Sequence, residues 1–412
     1  MDFAGILRPG DAILVSQASA EPLTLTEALV AQRHAIGGVS VFLGVQLSDT
    51  FKPEHAGAIG FSSFGAMEGN FLLARAGKLD VFPVHYSEVP RLLESGRIRC
   101  DVALLTLSPP NAQGEASLGT CRDWMEDAAR RARVVIAEVN ERMPWTYGEE
   151  RMRELRIDHV VRSSRPLPEY PPPEIGDTER EIARHAARYI EDGAVLETGI
   201  GAIPSAILAQ LSDRRDLGVH SGLITDSVVD LIERGVVTNS RKTIDRGVTV
   251  AGMLWGTEKF YRLVARNRAI RFRPIRYTHD LRVIASIDNF VGINGAVEVD
   301  LTGQINAETA GPHYVGGIGG QGDFMRGALL ARGGRSIIAL PSTARGGELS
   351  RIVARIDSGV VTTARADADV IVTEWGAAEL RGATISERIE RMLAIAHPRH
   401  REALERAVRD FP

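Results

Sequence analysis

Cysteine is nearly missing from this chain: 412 residues carry two, Cys100 and Cys121. Two thiols build neither a disulfide framework nor a four-cysteine zinc site, so both read as reduced, buried residues. Missing too is any apolar run approaching the roughly 20 residues that cross a bilayer. The N-terminal stretch MDFAGILRPGDAILV begins with an acid, has no basic segment and turns at Pro9-Gly10-Asp11. That is no signal peptide, and the expectation is a cytoplasmic protein with no membrane partner. No basic block stands out among 49 Lys plus Arg and 53 Asp plus Glu, formal charge −4. A nucleic-acid partner would need one, so none is expected. A small polyanion is not excluded, because helix N-termini and a few arginines hold phosphates whatever the net charge. The Gly-x-Ser-x-Gly elbow, the Walker A loop and His-Glu-x-x-His are all lacking, which removes serine hydrolases, P-loop enzymes and zinc peptidases. The ten histidines are scattered without ligand spacing, so no metal is expected.

What is present is an ordinary globular composition, 44% hydrophobic and 25% charged, in a chain long for one core. Pro166 to Pro173 holds five prolines in eight residues and reads as a linker. The expected division is residues 1–165, a linker at 166–177, and residues 178–412. On either side, short apolar runs alternate with helical stretches. The runs are Ala12–Val15, Val39–Leu43, Val102–Leu107 and Val134–Val139, then Ala194–Glu197, Val248–Met253, Val283–Ile287, Ser336–Leu340 and Val370–Thr373. Helices are expected at Thr178–Glu191 with Asp177 as cap, Pro204–Leu211, Ser227–Arg234, Asp323–Arg332 and Ser386–Ala396. The class is α/β with mostly parallel buried strands, whose sites lie beyond the strand C-termini. Arginines at 388, 391, 399, 401, 406 and 409 read as a solvated face paired i,i+4 with acids.

Three segments carry candidate chemistry. In Leu196-Glu-Thr-Gly199-Ile200-Gly201-Ala202-Ile-Pro204 a strand runs into a Gly-x-Gly turn and a helix. Its N–H groups suit a carboxylate or phosphate, though a tight turn without a ligand fits equally. Gly316-Gly317-Ile-Gly319-Gly320-Gln321-Gly322 matches the dinucleotide fingerprint at 317, 319 and 322 only formally, because no apolar strand leads into it. Five glycines in seven residues describe a backbone that something approaches closely, as in an oxyanion hole; the alternative is a surface loop. In Asn294-Gly295-Ala-Val-Glu298-Val-Asp300-Leu301, a strand from Ala296 puts Glu298 and Asp300 on one face, as either a reactive pair or a solvent-facing edge.

Taken together these segments resemble the acetyl-CoA hydrolase/transferase family. The likeness runs from Pro109-Pro-Asn-Ala-Gln-Gly114 through Leu118-Gly119, Glu138-Val-Asn140 and Met143-Pro144 to Thr198–Pro204. It continues through Asp230–Asn239, Glu298–Gln304, Gly316–Gln321, Val372–Gly376 and Ala378–Gly382. The resemblance implies two related open α/β domains with the active site at their interface. It also implies CoA-transferase activity with Glu298 as nucleophile, coenzyme A as substrate rather than tightly bound cofactor, and a small carboxylic acid as partner. Gly319 and Gly320 become oxyanion candidates. Gly199, Ile200, Gly201, Ala202, Asn294, Gly317, Gln321 and Asp300 become candidates for binding substrate and CoA, and a homodimer or higher homo-oligomer is expected. The sequence departs from the family pattern at Gly222, where an acid is usual after His220-Ser221, at Gly295, where serine is usual, and at Gly322, where valine is common. Losing the acid and the side chain should enlarge or neutralise part of the pocket, which points to an acyl group other than acetate or butyrate. Rival readings are an acyl-CoA hydrolase on the same glutamate, a dinucleotide-dependent oxidoreductase, and a non-catalytic acyl-CoA binding protein.

Overall fold

The computed structural model describes residues 1–148, 155–357 and 359–408. The chain forms two compact units. The first holds Met1–Pro171, Val250–Thr278 and His313–Gly319; the second holds Pro172–Thr249, His279–Pro312 and the chain from Gly320 onward.

The first unit is built on β1 (Ala12–Val15), β2 (Val39–Leu43), β3 (Ile59–Ser63), β4 (Asp80–Val81), β5 (Val102–Leu107), β6 (Val134–Asn140) and β7 (His159–Ser163). They pair in the order β4-β3-β2-β1-β5-β6-β7, parallel throughout. Every residue of β1 and β5 is buried, as expected of strands covered on both faces. Ile13, Leu25, Leu29, Val41, Ile59, Leu73 and Leu104 join one core. The winding reverses between β1 and β5, which opens a crevice past their C-terminal ends.

In the second unit the order is β9 (Gly218–Thr225), β8 (Val195–Thr198), β12 (Phe290–Gly295), β15 (Arg335–Ala339), β17 (Val370–Thr373) and β18 (Gly376–Glu379). Only the last strand is antiparallel, closing a hairpin from Thr373 to Gly376. Here β8 is the switch point. The intervening β10 (Thr249–Trp255) and β11 (Ile270–Phe272) fall, but for Thr249, in the first unit. A small sheet of β13 (Glu298–Asp300), β14 (Ile305–Asn306) and β16 (Ile352–Val353) has β13 at its centre. Val299, Ile305, Ile352, Ile338, Ile371, Met392 and Ile395 pack together beneath it.

Several sequence expectations need correction. Val283–Ile287 is not a strand: residues Leu281–Ala285 are helical, with the Asp280 carboxylate accepting from Arg282 N at 2.7 Å. A short apolar run does not distinguish strand from helix, and the cap decides it; the strand comes later, at Phe290–Gly295. Asp177 is the first helical residue rather than the cap, which is Gly176. The helix Ile385–Ile395 is capped by Thr384 through a box with Glu387, and Pro398 begins a further helix, Pro398–Val408. Arg391–Glu387 and Arg406–Glu402 are the expected i,i+4 pairs. Arg388 is not on that solvated face; it is buried. Arg409 lies outside the described residues.

Candidate active site

Glu298 opens a strand of three residues, shorter than the sequence suggests. It stands opposite Asn306 on β14, while its neighbour Val299 faces the core opposite Ile352. Strand alternation therefore turns Glu298 away from the core, where it is half-buried. Asn306 Nδ2 donates to Glu298 Oε1 at 3.0 Å. The amide is itself fixed: Nδ2 also reaches Thr309 O at 2.9 Å, and Oδ1 accepts from the N–H groups of Glu308 and Thr309, each at 3.0 Å. A neutral donor thus sets the carboxylate's direction without adding a counter-charge. Asn306 is a residue the sequence reading misses. The signal for it is the Thr302-Gly303 turn, which folds β14 back onto β13.

Asp300 is divided from its partner on the face. Its Oδ1 accepts from Thr302 N (2.9 Å), Thr302 Oγ1 (2.8 Å) and Gln304 N (3.0 Å), and its Oδ2 from Gln304 Nε2 (2.7 Å). The carboxylate builds the turn, in which Gly303 adopts φ +95°. Arg388 Nη1 completes the turn from outside, donating to Thr302 O at 3.0 Å and Arg365 O at 2.7 Å.

Gln321 and Asn294 are tied to the same region of the second unit. Gln321 Nε2 donates to Gly295 O at 2.7 Å, three residues before Glu298, and its Oε1 accepts from Thr363 Oγ1 at 3.0 Å. Thr363 in turn bonds the backbone of Ile305. Asn294 Nδ2 donates at 2.8 Å to Oε2 of Glu197, a fully buried carboxyl that burial pushes up to about 8, so that it is protonated at neutral pH. Gly199, Ile200, Gly201 and Ala202 follow β8 at the switch point. The Gly199 amide is engaged by Ile293 O at 3.1 Å. Gly201, at φ +103°, leads into the helix Ala202–Ala209, whose first N–H groups have no intrahelical acceptor. Pro204 stands at the third helical position.

The glycine-rich segment is explained in part by the protein's own packing. Tyr86 N donates to Gly319 O at 2.9 Å and Ala66 N to Gly316 O at 2.7 Å, all within the first unit. A Cβ at Gly317 would lie 2.9 Å from Phe64 O, so this glycine admits the chain's own backbone. A Cβ at Gly320 would lie 2.7 Å from His279 Nε2. Gly319, at φ +53°, alone of the three faces open space. No strand of either main sheet leads into the segment, only the two-residue strand His313–Tyr314, so the dinucleotide fingerprint lacks its structural context.

The departure at Gly222 leaves no empty space where the side chain would be. A Cβ there would lie 2.8 Å from both Cε1 and Nε2 of His279 and 3.4 Å from Phe324 Cε2. His279 fills the place, and burial holds its imidazole down at about 3, with His220 adding to the effect, so it is neutral. The space that a side chain at 222 would take is filled by His279 and Phe324. Gly295 differs: a Cβ there meets only Ala339 O, at 3.9 Å.

A buried network in the first unit is also absent from the sequence reading. Gln17 Nε2 donates to Tyr86 Oη (2.5 Å) and Asp123 Oδ2 (2.6 Å), and Cys121 Sγ donates to the same oxygen at 2.9 Å. It lies past β1 and fixes the tyrosine whose backbone holds Gly319. Among the described residues, no group of three or more His, Cys, Asp or Glu could hold a metal ion, and no helix is long and apolar enough to cross a membrane.

These features coincide with similarity to known proteins along most of the chain. Residues 1–167 match the acetyl-CoA hydrolase/transferase N-terminal domain, and residues 256–408 match the C-terminal domain of that name. The 4-hydroxybutyrate coenzyme A transferase of Clostridium kluyveri is 39% identical over 395 residues, 95% of this chain and 92% of that protein. The butyryl-CoA:acetate CoA-transferase of Anaerostipes caccae is 37% identical over 336 residues, 78% of this chain and 74% of that one. The crystal structure of RipA from Yersinia pestis aligns with a TM-score of 0.93 at 36% identity, covering 99% of this chain and 95% of RipA. The chain belongs to the acetyl-CoA hydrolase/transferase family.

Proposed function

We propose that this enzyme, an acyl-CoA:carboxylate CoA-transferase, works through a covalent thioester on Glu298. A Glu298 oxygen attacks the acyl-CoA carbonyl, the C–S bond breaks, and CoA leaves as thiolate from a mixed anhydride. The thiolate attacks the glutamyl carbonyl carbon, the anhydride C–O bond breaks, and the first acid departs as carboxylate. A second carboxylate attacks the glutamyl-CoA thioester and repeats the two steps in reverse order. No net proton moves, and each half-reaction exchanges a carboxylate for a carboxylate, so thioester energy is conserved. Gly319 and Gly320 are the proposed oxyanion donors, and Gly317 and Gln321 beside them are proposed contacts to substrate or CoA. Gly199 to Ala202 and Asn294 are the proposed contacts to CoA and the acyl group, with Asp300 shaping the strand.

The observation that carries this reading is the Asn306–Glu298 bond, which holds one carboxylate oxygen of a half-buried glutamate and leaves the other to react. Gly295 bears on the acyl group, since its open surroundings suit an acid other than acetate or butyrate. Intact mass spectrometry after incubation with a panel of acyl-CoAs tests the mechanism. Wild type gains an adduct of CoA mass and Glu298→Gln does not; absence of the adduct with every donor removes the mechanism. Release of CoA without an acceptor acid identifies a hydrolase instead. Equal turnover of acetate, butyrate and larger acids removes the claim about the acyl group.

A further inference from the structure

We infer that Glu197 is a positioning residue for the CoA subsite, aiming the side-chain amide of Asn294 at the substrate; the inference rests on the CoA-transferase reading above. In the parallel pairing of β8 with β12, Glu197 stands opposite Gly292. Its carboxyl reaches across the neighbouring strand, and a Cβ at residue 292 would lie 3.3 Å from Oε2, so glycine leaves it room. That one oxygen accepts from Ile293 N at 3.2 Å and from Asn294 Nδ2 at 2.8 Å. The two bonds link a strand backbone to the side chain that follows it, at the end of β12 nearest Glu298.

The residue type needs explaining. Val195 and Leu196 beside it are buried and apolar, and an apolar residue at 197 would suit a parallel strand covered on both faces. A fully buried carboxyl is costly unless its bonds do something an apolar side chain does not. What they do is orient an amide. With Nδ2 turned to Glu197, the Asn294 side chain presents Oδ1 as an acceptor of fixed direction. The donor it fits is an amide N–H, of which the pantetheine arm of CoA carries two. A simple carboxylate such as acetate or butyrate offers no N–H or O–H donor, so with such an acceptor the effect belongs to CoA and not to the acid.

The test is calorimetric titration of free CoA into the whole protein, with Glu197→Gln, Glu197→Met, Asn294→Ala and the double variant Glu197→Met/Asn294→Ala beside wild type. Glutamine keeps the acceptor oxygen and methionine removes it at similar length. Glu197→Met and Asn294→Ala should each weaken CoA binding about tenfold, the worth of one hydrogen bond. The double variant should be no weaker than Asn294→Ala alone, and Glu197→Gln should stay within about threefold of wild type. KM for acetate or butyrate as the acceptor acid should not move in any variant. Losses that multiply in the double variant overturn the inference, as does a Glu197→Met protein that binds CoA like wild type. If methionine at 197 prevents folding, a Glu197→Gln protein as weak as Asn294→Ala overturns it equally. Wild type that binds no CoA removes the CoA-transferase reading itself, an outcome separate from both.

Discussion

Asn306 and Glu298 face each other across a two-strand turn, the amide fully buried and the carboxylate half-exposed, joined by one 3.0 Å hydrogen bond. The amide is anchored by its own bonds to residues 308 and 309, so it acts as a fixed point from which the carboxylate is directed. Asn306→Ala should lower kcat about ten- to a hundredfold, the range for a hydrogen bond to a charged group. KM for acyl-CoA should change little. Asn306→Asp should be slower still, because it sets a second carboxylate where the donor was. Steady-state kinetics and the rate of CoA-adduct formation measure both.

His279 in the space above Gly222 predicts a steric coupling. Gly222→Ala should destabilise the protein by about 1–3 kcal/mol, the usual cost of overpacking, because the ring meets both the new methyl group and Phe324. Gly222→Ala should cost much less when combined with His279→Ala. Urea unfolding of the four proteins reads the cycle, and additive costs would refute the coupling.

For Glu197 the pH dependence has a definite sign. Burial raises its pKa from the usual 4.5 to about 8, so the folded state keeps a proton that the unfolded state gives up. The stability it contributes is fully present below pH 4.5 and is lost as pH rises toward 8, at about 1.4 kcal/mol for each pH unit crossed. Glu197→Gln does not titrate. Its melting temperature relative to wild type should therefore climb between pH 5 and pH 8 and level off above that; a constant difference would refute the assignment.

Arg388→Met should cost about 1–3 kcal/mol by leaving the carbonyls of Thr302 and Arg365 without their donor. It should also slow the enzyme, because Thr302 belongs to the turn that sets β13. Arg391→Met, on the exposed face of the same helix, should change stability by less than about 0.5 kcal/mol.

Neither thiol should react readily in the folded protein. Burial pushes Cys100 up to about 12, and burial with the Asp123 charge pushes Cys121 well above the usual thiol range. Alkylation at pH 8 should be slow until denaturant is added.

How far the sequence led is clearest element by element. β1, β5 and β17 lie where their apolar runs predict, because a strand buried on both faces needs no partner to declare itself, and so does β2, buried but for Ser40. β13 was legible as a strand carrying Glu298. Its partners were not, since Asn306 acts across a turn and Arg388 lies 86 residues from Thr302. The glycine-rich segment was legible as a close approach but not its partners: residue 317 admits the backbone of Phe64 and residue 320 seats His279, as residue 222 does. A sequence shows that room is needed and not what fills it. Asp300 shows the same limit, since alternation gives its face and only coordinates show its oxygens closed into a turn.

The hold of Arg388 on Thr302 also bears on how the protein is made. Most of the first unit lies within the first 171 residues, including every strand of its parallel sheet, and that sheet can form while the rest is still being synthesised. The strand carrying Glu298 has partners much later in the chain. It pairs with Ile352 and Val353, and its turn is clasped from a helix that begins at Ile385. A chain ending before that helix would hold Glu298 in its sequence without the Arg388 clasp on the turn that follows it.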